Sequence, residues 1–396
     1  MPVNQARNVA IVGLYEWPKR VDPDVSSMQI KARSIKRALD DAGLTWADID
    51  GLYDANDGEG GGGLGLSAYL GIHPRVIDTT SVGGSSYEFQ VAHAVRDIAA
   101  GRVNVAVLSY GSKAASQRIP IGTGGPRSAG NWQANMENAY GQTLISNYAM
   151  VAMRHMHQYG TTSEQLAEIA VTTRAHAMRN PEAVQAMLDL QFMNIREITV
   201  ADVMESRVIA DPLHLLECCM VSDGGGALIL ASADVARGTK KKPVWVIGSG
   251  EGIEYRRNGS DITVSSAARS GPAAFAEAQV SPGEIDVAMI YDSFTITVAV
   301  MLEDLGFCKK GEAGAFVADG RLRWDRPGAP ALNTDGGGLS SNHPGMRGLF
   351  LLLEATRQMR GESTSQVANP RLALAHGNGG QLGGTHAGGT SILAAD

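Results

Sequence analysis

The feature that most constrains the fold of this chain is a pattern that occurs once in each half. The first copy runs from Ala42 to Asp54 and the second from Ala278 to Asp292. Each copy begins with the end of an alanine-rich helical segment. A Thr or Ser follows that can cap the next helical turn, and then an apolar strand that ends in Tyr-Asp. The second copy is two residues longer in its strand. The repetition predicts two halves built from the same elements.

A second correspondence follows in the same order. Gly-Gly-Ser-Ser at 83–86 opens a predicted helix that stops at Gly101, and the strand 103–108 comes next. In the later half, Gly-Gly-Leu-Ser at 337–340 leads to a helix that stops at Gly361 and then to the strand 372–375. Strand–helix–strand units that repeat in order indicate a duplicated α/β fold rather than chance similarity.

An insertion separates the two halves. We expect an N-terminal half formed by residues 1–111 and 207–239, a mostly helical inserted domain over 112–206, and a C-terminal half over 240–396. The stretch 236–243 is small and basic and ends in proline, as is typical of a joint between domains.

Within and after the insertion, local patterns predict the individual elements. Helices are expected over 139–159 and 166–178, the second behind the capping box Thr162-x-x-Gln165. The chain is expected to return to the core as a strand over 219–230.

Composition excludes several classes of function. The net charge of −7, without a long basic block, argues against nucleic-acid binding. Three cysteines do not make a disulfide framework and indicate a reducing compartment. Neither a signal-peptide core nor a run of transmembrane length is present in the sequence, so we expect a soluble, cytoplasmic protein without membrane contact. No phosphate-binding loop or metal-ligand spacing is found, and we expect no cofactor or metal in this chain.

Short motifs carry a resemblance to a known family. They are Ser81-Val82-Gly83-Gly84-Ser85-Ser86, Leu216-Glu217-Cys218-Cys219, Tyr291-Asp292-Ser293-Phe294, Leu302 to Cys308, Asn333 to Gly338, and Asn342-His343-Pro344-Gly345. In this order over the full length, they resemble the thiolase superfamily, above all the sterol carrier protein-type thiolases and their bacterial lipid-transfer relatives. The resemblance implies an α/β fold of duplicated βαβαβαββ halves stacked in layers, with an inserted, mostly helical loop domain.

The resemblance also implies a change of chemistry. The nucleophilic cysteine of thiolases corresponds to Ser81, and the loop that holds their second cysteine reads His-Gly-Asn-Gly-Gly at 376–380. Tyr291 takes the place of the Asn or His that holds a water in the first oxyanion hole. His343 matches the histidine that activates the nucleophile and polarises the thioester. An acyl-enzyme is therefore in doubt, since a serine is far less nucleophilic than a thiol, whereas an oxyanion site for a thioester enolate is kept.

A retro-aldol cleavage of a 3-hydroxyacyl-CoA needs only a base, enolate donors and an acid, and some lipid-transfer relatives without the cysteines are aldolases that shorten steroid side chains. His343 would be the enolate donor or the acid, or a structural residue of its His-Pro-Gly turn. Tyr291 would be the base or a proton relay, aided by a neighbour because its ordinary pKa is near 10, or a tyrosine that ends a buried strand. Asp292 would orient a neighbour or cap the following helix.

The remaining candidates lie in the glycine loops. Ser81 and the amides after it would hydrogen-bond the substrate, and the other expected substrate or oxyanion residues are Gly84, Ser85, Asn342, His376, Asn378 and Gly379. Aldolases of this branch carry a second tyrosine close to the His-Pro-Gly segment. Ser340, Ser341 and Asn342 stand there in this chain, which predicts a different base or a different substrate.

Three functions remain open on the sequence. The first is a retro-aldolase on an acyl-CoA with a steroid or other bulky apolar tail, which releases a short acyl-CoA such as propionyl-CoA. The second is a degenerate thiolase or acyltransferase that acylates Ser81, and the third is a non-catalytic acyl-CoA-binding subunit. The resemblance further implies a homodimer and a small partner protein with an OB-fold and a zinc ribbon, so that any zinc lies in the partner.

Overall fold

In the part of the chain that the structure describes, the strands form one large sheet and one small hairpin. The computed structural model describes residues 7–55, 62–119, 141, 143–192, 194–255 and 260–396. Its strands are β1 Val9–Glu16, β2 Gly51–Tyr53, β3 Val76–Asp78, β4 Val105–Lys113, β5 Val208–Ala210, β6 Leu213–His214, β7 Asp223–Ser232, β8 Val244–Glu254, β9 Val287–Ile290, β10 Ala331–Leu332, β11 Leu372–Gly380 and β12 His386–Ala394.

The helices alternate with these strands. They are α1 Ser27–Ala42, α2 Gly62–Leu70, α3 Ser86–Ala99, α4 Leu144–Tyr159, α5 Ser163–Ala177, α6 Pro181–Asp189, α7 Val200–Met204, α8 Ala233–Ala236, α9 Ala267–Ala278, α10 Thr295–Asp304, α11 Ala313–Val317, α12 Gly337–Ser340 and α13 Gly348–Arg360. Across the described ranges, no helix combines the length and the apolar character needed to cross a membrane.

The order of strands in the large sheet displays the duplication. It runs β10-β9-β11-β12-β8-β1-β7-β4-β2-β3, so β1 and β8 meet at the centre, and each half continues outward with equivalent strands in mirrored order. The repeat in the sequence maps onto equivalent places, because β2 and β9 end at the two Tyr-Asp pairs. Asp50 and Asp286 even repeat the same contact: each carboxylate accepts from two successive backbone amides at the start of the neighbouring strand, β4 or β11. The predicted duplicated α/β fold is confirmed.

Helices cover the sheet in layers. Helix α1 packs on β1, β4 and β7, and α9 packs on β8 and β12. Helices α3 and α13 contact each other as well as strands of both halves, so they form the layer between the halves. Each glycine loop therefore opens onto this shared layer, where the two halves can contribute side chains to one site.

The inserted helices lie on the C-terminal half. Residues of α4 and α5, such as Tyr148, Val151 and Leu166, share a hydrophobic core with Phe294 and with α10. The capping box at Thr162 is present, and its side chain accepts from the amide of Gln165. The boundaries that we expect between the three domains stay a prediction.

Several predicted bounds differ from the structure. The first helix behind a glycine loop begins at Ser86 rather than at the glycines, and the second is split into α12 and α13 by the His-Pro-Gly turn. The strand expected from residue 219 begins at Asp223, because the preceding residues bond to the site loops instead of to a strand. The helix expected from residue 139 begins at Leu144, and residues 139, 140 and 142 lie outside the described ranges.

Candidate active site

A buried tyrosine–histidine pair forms the centre of the candidate site. Tyr291 directly follows β9, and His343 lies in the turn between α12 and α13. The phenol oxygen of Tyr291 lies 3.0 Å from Nε2 of His343, and the rings meet edge to face with centroids 5.5 Å apart. Only 4% of Tyr291 and 3% of His343 are exposed. The structure thus brings together the two residues that lead the list of candidates.

The surroundings keep both rings neutral. Burial, reinforced by the positive charge of Arg347, lowers the pKa of His343 to about 4, and burial raises the pKa of Tyr291 well above its ordinary value. The phenol oxygen also lies 3.1 Å from the carbonyl oxygen of Gly345 and accepts from the amide of Arg347 at 3.3 Å. Tyr291 can donate its single proton to Gly345 or to His343. The pair is therefore able to move a proton to and from a third group at the phenol oxygen.

Asp292 holds the loop that carries His343. Its carboxylate accepts from the amides of Gly338 at 2.8 Å and Leu339 at 3.3 Å and from Nε of Arg347 at 3.3 Å. Burial raises the pKa of Asp292 to about 6. Asp292 does not cap the helix that follows it, since no side chain caps α10; its carboxylate instead binds the first turn of α12 and Arg347.

Arg347, which the sequence analysis missed, is the hub of this loop. Its Nη2 donates to both carboxylate oxygens of Asp335, at 2.8 and 2.6 Å, and its Nη1 donates to the carbonyl oxygen of Asn342 at 3.1 Å. The side-chain amide of Asn342 is occupied as well, since it donates to Glu16 at 2.8 Å and its oxygen accepts from Arg347. Asn342 therefore supports the loop. The only signal for Arg347 in the sequence is a cation two residues after the His-Pro-Gly turn.

The first glycine loop packs directly on Tyr291. A Cβ on Gly84 would lie 2.4 Å from the Tyr291 ring, and a Cβ on Gly83, whose φ is +74°, would lie 2.9 Å from Cα of Gly379. The tyrosine ring thus fills the space into which a side chain at position 84 would project. Ser81 lies three residues earlier and is exposed, and the structure does not bring it into the buried group.

The glycine-rich segment 376–380, which the sequence analysis treats as a loop, forms the end of strand β11, and its residues contribute unequally to the site. Asn378 donates from Nδ2 to the phenol oxygen of Tyr148 at 3.1 Å. His376 instead bonds Thr390 through Nδ1 at 2.8 Å, and burial lowers its pKa to about 3. Its carbonyl oxygen accepts from the amide of Tyr291, so His376 supports the site through its backbone. The hydroxyl of Ser85 donates to the carbonyl oxygen of Ala387 and is likewise structural.

Tyr148 is a second phenol that sequence analysis missed. It projects from α4, is 1% exposed, and packs on Phe294 with ring centroids 4.5 Å apart. Burial raises its pKa. The backbone amide of Cys219 donates to the carbonyl oxygen of Ser293 at 2.9 Å, one residue before Phe294. Burial also raises the pKa of Cys219, so this thiol is neutral.

A cavity of about 780 Å³ borders the segments that hold this group. Leu339 of α12 lines it together with residues 190–192, 205–207 and 218–221. Its apolar lining residues include Leu190, Phe192, Ile198, Leu215, Leu216, Met220 and Val221. A volume of this size is typical of a site for a small molecule. Cys219 also lines the cavity, and its backbone amide donates to the carbonyl oxygen of Ser293, so the cavity lies next to the segment that carries Asp292.

Comparison with known proteins agrees with this geometry. The model of the thiolase C-terminal domain-like family matches residues 249–394. The chain is 32% identical to an acetyl-CoA acetyltransferase of Methanothermobacter thermautotrophicus over 96% of this chain and 98% of the relative. It is also 32% identical to a steroid side-chain-cleaving aldolase of Thermomonospora curvata over 91% of this chain and 92% of the relative.

A solved structure extends the comparison to the whole fold. The structure named Ltp2-ChsH2(DUF35) aldolase superposes with a TM-score of 0.85 at 30% identity and covers 99% of both chains. This protein belongs to the thiolase superfamily. The relatives include both acyl-transferring enzymes and aldolases, so similarity alone does not distinguish acyl transfer from aldol cleavage. The residues of the site must be used to distinguish the two reactions.

Proposed function

We propose that this protein is a thiolase-fold carbon–carbon lyase that cleaves a 3-hydroxyacyl-CoA thioester, with a steroid side chain as its acyl group, into a ketone or aldehyde and propionyl-CoA. The observation that carries the proposal is the Tyr291–His343 pair, whose tyrosine fills the space beside Gly84. Ser81, which corresponds to the thiolase nucleophile, is exposed and lies outside this buried group. The similarity to a steroid side-chain-cleaving aldolase supports the same chemistry.

The pair accounts for the proton that the reaction must remove. Tyr291 takes the proton of the 3-hydroxyl as its own proton passes to Nε2 of His343, which is neutral and able to accept it. The bond between the α- and β-carbons then breaks, and its electron pair forms the enolate of the leaving thioester. The amide of Arg347, which donates to the phenol oxygen, stabilises negative charge on Tyr291 during the transfer.

The return of the proton completes the reaction. His343 gives the proton back through Tyr291 to the α-carbon of the enolate, which yields propionyl-CoA. We assign Tyr148 and the amide of Asn378 as donors to the enolate oxygen, because Asn378 bonds Tyr148 and lies beside Tyr291: a Cβ on Gly84 would lie 2.4 Å from both the carbonyl oxygen of Asn378 and the Tyr291 ring. Tyr148 is then the second phenol of the site, supplied by the inserted domain.

Two partners are proposed, one from an exposed edge of the large sheet and one from the similarity to a solved structure. We propose a homodimer built on β3, because β3 is the edge strand of the large sheet and Leu64, Tyr69 and Ile77 beside it are exposed. We also propose a small partner with an OB-fold and a zinc ribbon, since the solved relative joins its chain to ChsH2(DUF35). The complex would act in the cytoplasm.

One incubation separates this proposal from its alternatives. The protein is purified with and without the co-expressed partner and is mixed with a 3-hydroxy-2-methylacyl-CoA whose acyl group carries a steroid. Release of propionyl-CoA with the matching ketone supports the lyase. A mass increase on Ser81 without release identifies an acyltransferase, and binding without either product identifies a non-catalytic subunit.

A further inference from the structure

Three of the largest fully buried side chains are arginines, and they differ in their partners. Arg20 pairs with Glu16, and Arg347 pairs with Asp292 and Asp335. These three ion pairs follow the general rule that buried charges are paired.

The third arginine, Arg174 of α5, has only neutral partners. Its Nε donates to the hydroxyl of Ser340 at 2.8 Å, its Nη1 donates to the carbonyl oxygen of Asn194 at 3.3 Å, and the guanidinium lies 5.8 Å from the ring centroid of Phe192. Among the residues that the structure describes, no carboxylate lies within 4.0 Å of it. An uncompensated buried charge is strongly unfavourable, and burial accordingly lowers the pKa of Arg174 to about 10.

The charge of Arg174 faces the cavity that borders the site. Arg174 lines this cavity, and only 2% of its surface is exposed. Its partner Ser340 ends α12, and the preceding amide, of Leu339, donates to Asp292. The guanidinium thus lies beside α12, the short helix that precedes the loop carrying His343.

We propose that Arg174 is a binding site for a singly charged oxyanion, namely a carboxylate carried by the acyl part of the substrate. A planar guanidinium with a free side matches a carboxylate in geometry and in charge. A phosphate of CoA is the competing anion, because Arg207 also lines the cavity and Arg196 pairs with Asp202, and the pantetheine thioesters below distinguish the two. That the ligand is a CoA thioester rests on the proposed function. The inference adds that the acyl tail of this thioester carries an acidic group.

Binding measurements test this site without relying on catalysis. The probes are ω-carboxyacyl-CoA thioesters from malonyl- to adipyl-CoA, each paired with the methyl-ended acyl-CoA of equal chain length, and pantetheine thioesters of the same acids. Kd is measured by calorimetry for the wild type, Arg174→Gln and Arg179→Gln. Arg179 lies at the end of the same helical region, is exposed and does not line the cavity, so its variant removes an equal charge elsewhere.

The wild type is expected to bind at least one carboxyl-ended probe about tenfold or more tighter than its methyl-ended pair. Arg174→Gln should lose this preference, and Arg179→Gln should keep it. A wild type without preference at every length, or a preference that Arg174→Gln retains, overturns the proposal. If Arg174→Gln weakens all CoA thioesters alike but leaves pantetheine thioesters unchanged, the anion is a phosphate of CoA and the acyl carboxylate is refuted.

A second measurement, without any thioester, tests the anion site even if no thioester binds and the proposed function is wrong. The melting temperature of the wild type should then rise in sodium acetate relative to sodium chloride of equal ionic strength, and that of Arg174→Gln should not. Equal responses of the two proteins to acetate contradict the site. A melting curve of Arg174→Gln in chloride checks that the variant is folded.

Discussion

Glu88 provides the clearest test of the electrostatics of the layer between the halves. Its carboxylate projects from α3 into the space left by Gly348 and Gly377, where a Cβ on either glycine would collide with it. Neither carboxylate oxygen has a hydrogen-bond partner in the described part of the chain. Burial raises the pKa of Glu88 from 4.5 to about 8. The group is therefore mainly a neutral acid in the folded protein at pH 7.

The sign and size of the effect follow from this shift. The pKa of Glu88 is higher in the folded state than in the unfolded state. Its contribution to the free energy of unfolding is therefore greatest below pH 4.5 and is lost as the pH rises toward 8. Each pKa unit corresponds to about 1.4 kcal/mol. The loss thus reaches roughly 3 kcal/mol at pH 7 and levels off near about 5 kcal/mol above pH 8.

Replacing Glu88 with glutamine removes this titration at nearly constant shape. The free energy of unfolding is measured by urea denaturation for the wild type and Glu88→Gln between pH 5 and pH 9. The free energy of unfolding of Glu88→Gln minus that of the wild type should increase by several kcal/mol from pH 5 to pH 9. Its starting value at pH 5 does not matter for the test. Glu16→Gln is the control without a slope in this range, because Arg357 and Arg20 lower the pKa of Glu16 below 4.5 against its burial, so its carboxyl is ionised in both the folded and the unfolded state from pH 5 to pH 9. A difference between wild type and Glu88→Gln that is independent of pH would refute the reasoning.

Three further variants probe the site itself. His343→Ala should lower kcat by about 10²-fold or more, since it removes the acceptor of the Tyr291 proton, and kcat with the steroid thioester measures this. Tyr148→Phe should lower kcat about 10²-fold with little change in KM, because its phenol is assigned to the enolate rather than to the substrate. Gly84→Ala should lower the melting temperature and abolish cleavage, as its Cβ would lie 2.4 Å from the Tyr291 ring.

Each of these variants has an outcome that contradicts its assignment. Retained turnover in His343→Ala or Tyr148→Phe removes that residue from the mechanism, provided that circular dichroism shows a native fold. Gly283→Ala is the control for Gly84→Ala, since nothing lies within 4 Å of a Cβ at position 283. Equal melting temperatures of the two alanine variants would mean that the loop does not press on Tyr291.

The fold could be predicted because its main signal is local and occurs twice. The two Tyr-Asp pairs end equivalent strands, and each aspartate is buried beside a cation: Asp54 beside Lys31, and Asp292 beside Arg347. Tyr291 and His343 could each be named as candidates, since each stands in a short motif that resembles a known family, whereas their contact with each other is visible only in the structure.

The rest of the site depends on contacts that the sequence does not display. Tyr148 arrives on a helix of the inserted domain, and a helical pattern does not reveal which neighbour a buried aromatic ring will meet. The place of Ser81 was inferred from glycine spacing, but Gly84 is the residue that packs on Tyr291. Glycine-rich segments can be aligned in more than one register, so only the structure distinguishes these positions.

The central claim is that Tyr291 moves the proton in a carbon–carbon cleavage. The most direct measurement is the single-turnover rate of propionyl-CoA release by Tyr291→Phe, compared with Tyr53→Phe and the wild type. Tyr53 ends the equivalent strand of the other half and bonds Asp97 at 2.7 Å, so its variant removes a buried phenol oxygen away from the site. The account predicts a loss of about 10²- to 10⁴-fold for Tyr291→Phe and a rate near that of the wild type for Tyr53→Phe. A folded Tyr291→Phe that releases propionyl-CoA at the wild-type rate would contradict it.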